Sequence, residues 1–202
     1  MHIPDGVLSG NVSIIGYVIS FCIYGMAHKR KKFDFKLISK ISLVTAALFI
    51  ASLIYVPVGF TSVHFSFVGL AGVILGPLSV YAVGVALFFQ MILFHHGGYS
   101  TLGVNMLNFG VAALIAYAIF SLHKKYAKKP IHIMLFAISA GCLATIIKVL
   151  LGATSLFASG YPITVLASLL LVHIPVILGE GILTGLLVMS LIKLKKEYIY
   201  EN

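Results

Sequence analysis

The chain has 202 residues, 60% of them hydrophobic and 9% charged, with no Trp and a mean hydropathy of +1.10. Soluble domains carry charge on about a quarter of their residues, so this composition points to an integral membrane protein of one domain, 1–202. A formal net charge of +9 would suit nucleic acid if it covered a face. Here the cations sit in short segments between apolar runs, which is topology information and not a nucleic-acid surface. Cys22 and Cys142 fall inside apolar runs and read as small buried hydrophobes, not a disulfide.

In chain order, residues 1–10 contain Pro4 and Gly6 and form a short arm able to fold back into the helix bundle. The start lacks the basic stretch of a signal peptide, and no small-residue cleavage site precedes the basic stop at Lys29-Arg30-Lys31-Lys32. The expectation is an uncleaved first helix and a free amine on Met1. Apolar runs come next at 11–28, 41–57, 65–76, 78–95, 103–122, 131–152 and 168–192. A spanning helix needs about 20 residues. The run 65–76 is short and stops at Gly76-Pro77, a helix-ending pair. With the amino terminus outside and every run crossing, all of the fourteen Lys and Arg except Lys148 fall on the cytoplasmic side, in 29–40, 123–130 and the tail after 192. Removing the crossing at 65–76 would put 123–130 outside and break the positive-inside rule. The fold class is therefore all-α, about seven transmembrane helices, amino terminus out and carboxyl terminus in, in the cell membrane. The Gly-rich segment 97–108 reads as a re-entrant or capping loop on the outer side.

Met1-His2 offers three consecutive nitrogens: the terminal amine, the His2 amide and the His2 imidazole. A metal can close one five-membered and one six-membered chelate ring on them. His64, outside by topology and expected to begin a short helix, is the choice for a fourth donor. Four nitrogens in a plane suit Ni(II) or Cu(II), and binding must release protons. The bland readings are that a histidine at position 2 usually binds nothing and that His64 is an interfacial polar residue. Asn105 and Asn108, three apart, share a helix face, as second shell to the histidines or as interhelical hydrogen-bonding groups. His95 and His96 are adjacent, point about 100° apart on a helix and make poor joint ligands. His173 and Glu180 share a face of the last run, as a functional pair or an interhelical clamp. Lys148 is expected to snorkel outward, at a different depth from Glu180. No phosphate-loop motif is present, so the chain is not expected to be an enzyme, and ATP hydrolysis must come from partners.

Met1-His2-Ile3-Pro4-Asp5-Gly6 resembles the opening of the NikM/CbiM family, the substrate-binding (S) components of nickel and cobalt energy-coupling-factor (ECF) transporters. Gly59-x-Thr61-Ser62-x-His64 is similar to the family's second histidine motif. Gly97-Gly98-x2-Thr101-Leu102-Gly103-x-Asn105-x2-Asn108 resembles its Gly-rich loop. His173-Ile174-Pro175 with Gly179-Glu180-Gly181 and Thr184 resembles its last-helix motif. The resemblance implies a seven-helix S component with a square-planar site from Met1, His2 and the second histidine, with loop residues such as Thr101 around it. It implies transported Ni(II) or Co(II), no catalytic cofactor, a membrane scaffold (T) subunit, two cytoplasmic ATPases, in many cases a small accessory membrane subunit, and a tipping of the whole subunit during transport. His95-His96 departs from the pattern and bears on the outer gate. The rivals are a membrane metalloenzyme, which would need an open coordination position and a positioned acid or base, and an S component for an organic vitamin, which would need an aromatic, largely apolar pocket and carry no metal.

Overall fold

The computed structural model describes residues 2–28, 35–58 and 61–194. Met1, the cations Lys29, Arg30, Lys31 and Lys32, and Lys195 and Lys196 lie outside the described residues. The elements are α1 (Gly10–His28), α2 (Phe35–Ala51), β1 (Tyr55–Val58), β2 (Thr61–His64), α3 (Val68–Leu75), α4 (Ser79–Phe94), α5 (Leu102–Ser121), α6 (His123–Tyr126), α7 (Pro130–Ala158) and α8 (Ile163–Leu194), with a 3-10 turn Gly76–Leu78 between α3 and α4. Among the described residues, five helical segments are long and apolar enough to cross a membrane: Gly10–Ala27, Val68–Phe94, Leu102–Tyr126, Pro130–Ala158 and Ile163–Leu194. This is a multi-pass membrane protein.

The second of those segments is folded in two. Gly76 has φ 59 and ψ −135, left-handed backbone that glycine adopts without steric cost. Pro77 comes next and cannot continue α3. The neighbours on α5 show the reversal. Gly72 abuts Ala113 and Gly76 abuts Tyr117, so α3 runs alongside α5 in the same direction. Gly110 then abuts Val80, and Gly84 abuts Met106, so α4 runs back up. A straight 27-residue helix would carry its ends about 40 Å apart. Instead the rings of His64 and His96, on either side of the segment, lie 6.4 Å apart. One end of the bundle thus collects the amino-terminal arm, the β1–β2 hairpin and residues 95–101. The opposite end collects Lys36 and Lys40 at the start of α2, Lys124, Lys125, Lys128 and Lys129 around α6, and Lys193 on α8.

Three sequence expectations change here. The run 41–57 ends as helix at Ala51, and the strands Tyr55–Val58 and Thr61–His64 beyond it pair antiparallel, with Tyr55 facing His64 and Val58 facing Thr61. β-branched residues flanking a Gly favour such a ribbon over helix. His64 therefore closes strand β2 and does not begin a helix; α3 starts four residues later. The segment 97–108 is loop only as far as Thr101, because α5 begins at Leu102 and holds both asparagines. Its polar residues bond sideways to the arm and leave the helix ladder intact.

Packing uses small residues, as expected where lipid removes the hydrophobic drive between helices. Gly141 on α7 lies against Gly181 and Thr184 on α8, and Gly185 lies against Ile138, which makes these two helices antiparallel neighbours. Ala112, Ala113, Ala116, Ala137, Ala140 and Ala144 are buried along the α3–α5–α7 seam.

Candidate metal centre

The arm is anchored from residue 3 onward. The Asn105 carboxamide meets both backbone groups of Ile3: the Ile3 N–H donates to Asn105 Oδ1 at 3.0 Å, and Asn105 Nδ2 donates to the Ile3 carbonyl at 3.0 Å. Thr101 Oγ1 donates to the same carbonyl at 2.6 Å. Asn105 thus acts as a surrogate strand edge, and the Ile3 side chain is buried beside Val104. Full burial of an Ile is worth about 2 kcal/mol. Asp5 makes the second anchor. Its carboxylate accepts from the Tyr99 N–H (3.0 Å), the Ser100 N–H (2.8 Å) and the Ser100 hydroxyl (2.6 Å). The Ser100 hydroxyl, with the backbone amides of Ser100 and Tyr99, holds the Asp5 carboxyl below the usual carboxylate range. Gly98 makes this approach possible, since a Cβ there would lie 2.2 Å from Asp5 Cγ.

Pinned in this way, His2 is buried at 4% exposure and His64 at 3%. Their rings stack with centroids 4.7 Å apart and planes 6° from parallel. His2 also stacks on Phe109 at 5.1 Å and on His96 at 5.7 Å. His64 Nδ1 lies 2.8 Å from the Phe65 carbonyl. A carbonyl only accepts, so Nδ1 carries the proton and Nε2 keeps its lone pair, the arrangement expected of a ligand histidine. Burial holds both imidazoles well below the ordinary histidine value of 6.5, so both are neutral at pH 7, the form that binds metal. His2, His64, Ser66, Gln90 and Phe109 line one cavity with a free volume of ≈ 10 Å³. That is space for about one water-sized sphere, far below the roughly 300 Å³ where organic-ligand pockets begin. Among the described residues, no three His, Cys, Asp or Glu side chains converge as a ready-made coordination shell.

The family profile described as the cobalt uptake substrate-specific transmembrane region, CbiM, matches residues 2–198. The chain belongs to the CbiM family. A Haemophilus influenzae protein named for metal transport is 32% identical over 89% of this chain and 94% of its own. The cobalt transport protein CbiM of Anoxybacillus flavithermus is 30% identical, covering 91% of this chain and 79% of that protein. A crystal structure of a transition metal transporter superposes with a TM-score of 0.88 over 98% of this chain and 95% of that one, at 24% identity, and so shares the fold. CbiM is a family of metal-uptake membrane components and not of catalytic enzymes.

Within this CbiM fold the residues singled out in the sequence separate clearly. His2, His64, Thr101 and Asn105 come together at one end; Met1 lies outside the described residues. Asn108 is buried on α5, with no partner for its Oδ1 among the described residues. Of the adjacent pair, His96 and not His95 joins the stack. His95 is exposed in left-handed backbone (φ 54), and the reversal it makes turns His96 inward. His173 is buried and its Nδ1 donates to the Leu169 carbonyl at 2.7 Å, outside the cavity lining.

The expectation that Lys148 snorkels away from Glu180 is overturned. Lys148 is 1% exposed and its Nζ lies 3.9 Å from Glu180 Oε1. Measured along the helix axes the two are far apart: Gly141 packs on Gly181, which places Lys148 about 10 Å nearer the histidine end. Side chains lean toward the start of their own helix. In antiparallel α7 and α8 that lean brings the two together. Glu180 Oε1 also accepts from the Ser66 N–H, the Ser66 hydroxyl (2.7 Å) and the Phe67 N–H (3.3 Å), which caps the start of α3. Lys148 Nζ donates to Ser66 Oγ at 2.6 Å and sits 5.2 Å from the centre of the Phe109 ring. Ser66 and Phe109 both line the cavity, so this ion pair is the floor of the histidine site. Lys148 and Glu180 are both conspicuous in the sequence as intramembrane charges, but the side-chain direction that joins them is not.

Proposed function

We propose that this chain is the substrate-specific membrane component of an energy-coupled importer, taking up Ni(II) or Co(II) through its amino-terminal arm. The observation that carries the reading is the burial of His2 face to face with His64 at the mouth of a cavity sized for one ion. The ion is held by the His2 imidazole, His64 Nε2, the His2 amide nitrogen and the Met1 amine. Asn105, Thr101 and Asp5 dock the arm from residue 3 onward and so keep the His2 ring beside His64. A planar set of nitrogens favours Ni(II) over Co(II); Cu(II) would bind at least as tightly, so cellular supply contributes to the choice. Glycines at 97 and 98 let loop 97–101 close against the arm and cap the ion.

Seven crossings, amino terminus out and carboxyl terminus in, fit this reading. The α3–α4 reversal supports counting 65–76 and 78–95 separately, and the positive-inside rule supports the direction. The histidine end then faces the outside. Drive comes from a membrane scaffold subunit and two cytoplasmic ATPases, in many cases with a small accessory membrane subunit, and the whole subunit tips to deliver the ion. A vitamin-binding component is disfavoured by the cavity's size.

Adding one residue before Met1, or acetylating its amine, tests the site. Nickel binding measured by calorimetry should weaken by more than about 100-fold, beyond the loss usual for an outer-shell partner, while the thermal unfolding of the metal-free protein stays unchanged. Undiminished nickel binding would discard the amino-terminal site.

A further inference from the structure

We propose that His96 is the capture ligand of the site: it takes the ion at the mouth, shares it with His2, and passes it on to His64. This rests on the site proposed above. His96 is the only one of the three stacked histidines that is half-buried, where His2 and His64 are sealed at 4% and 3%. The chain reverses at His95, and the His96 N–H donates to the Gln90 carbonyl at 3.1 Å, tying the ring's backbone to a residue that lines the cavity. The edge of Tyr55, from the β1–β2 hairpin, packs against His96 with centroids 4.4 Å apart. The ring is therefore held between the hairpin and the arm.

Distances fit a hand-over. An imidazole nitrogen binds a metal at about 2.0–2.1 Å, which puts the ring centre about 3.2 Å from the ion and any two rings on one ion within about 6.4 Å. His96 lies 5.7 Å from His2 and 6.4 Å from His64, and His2 lies 4.7 Å from His64. His96 and His2 can share an ion by rotating their rings with no backbone movement. His96 and His64 stand at the limit of that reach, while His2 and His64 stand well inside it. The ion thus has a stepwise path, from His96 and His2 to His2 and His64, with His2 bound throughout. His96 Nδ1 has no hydrogen-bond partner among the described residues, so no existing bond must break for the ring to turn.

The test is stopped-flow mixing of the full chain in detergent with Ni(II) alone, with a chelator chase for release. His96→Phe keeps the aromatic stack and removes both nitrogens; His95→Asn, a residue at home in left-handed backbone, is the control. His96→Phe should slow association and release alike, each by about tenfold or more. Its equilibrium affinity should stay within about threefold, and the ligand-field spectrum of the bound ion should not change. His95→Asn should match the parent. Unchanged rates in His96→Phe would overturn the proposal, as would a weakened affinity with an altered spectrum, which would make His96 a resting ligand. The chain extended before Met1 separates the two claims. If extension abolishes binding yet His96→Phe leaves both rates alone, only the capture step fails; if extension leaves binding intact, the site itself fails.

Discussion

His64 and His123 are matched in almost every local respect. Both are buried. Each places Nδ1 on a nearby carbonyl, Phe65 O at 2.8 Å and Phe120 O at 2.6 Å, so Nδ1 is the donor in both rings. Their company differs. His64 stacks on His2 beside the cavity, and the next polar residue along the chain, Ser66, is bonded into the Lys148–Glu180 pair. His123 packs on Phe120 at 4.3 Å among the lysines of α6 at the opposite end. Burial and a fixed tautomer therefore do not make a metal ligand. A second imidazole within reach, and a floor that fixes the loop, distinguish the histidine end.

The largest effect is expected at that floor. Glu180→Gln keeps the shape but leaves Lys148 buried without its counter-charge, which should lower stability by about 3–5 kcal/mol. Denaturation in detergent, compared with a change at His123, reads this directly, and equal stability for the two would dissolve the contrast. Next, His64→Ala should weaken nickel binding by more than about 100-fold, near 2.8 kcal/mol, whereas His123→Ala should stay within about threefold; similar losses would mean the wrong histidine or the wrong end. Asn105→Ala removes both bonds to the Ile3 backbone and should cost about 10- to 100-fold in nickel affinity, with His64's environment retained. An unchanged affinity would mean the arm is held by other means.

The pH effects are smaller. His2 and His64 have folded values below the ordinary 6.5. Their burial stabilises the docked arm fully above about pH 6.5. That contribution fades as pH falls below it, because free imidazoles take up protons that the docked ones refuse. Asp5 acts lower. Its carboxyl is held down by Ser100, so its support is present above about pH 4 and is lost as acid passes through its folded value. Ring and carboxyl titrations by NMR check both, and Ser100→Ala should move Asp5 back toward the ordinary value.

Much of the candidate site was legible because the residues that meet there lie in short sequence patterns. The opening Met1-His2 pair draws attention to His2, Gly76-Pro77 marks the end of a helix, and Asn105 and Asn108 face one way on one helix. The missing parts depend on direction and partner. Lys148 and Glu180 meet only because two antiparallel helices lean their side chains toward each other. Residues 55–57 read as the tail of the run 41–57 because a strand of apolar residues is as hydrophobic as the end of a helix. The choice of His96 over His95 turns on one residue in left-handed backbone, which no periodicity reveals.

The most direct measurement is X-ray absorption at the nickel edge of the loaded protein. An ion gripped by the folded-back amino terminus should show about four nitrogen neighbours in a plane, with multiple scattering from two imidazoles. A first shell made chiefly of oxygen or sulfur, or one with no imidazole signature, would contradict it.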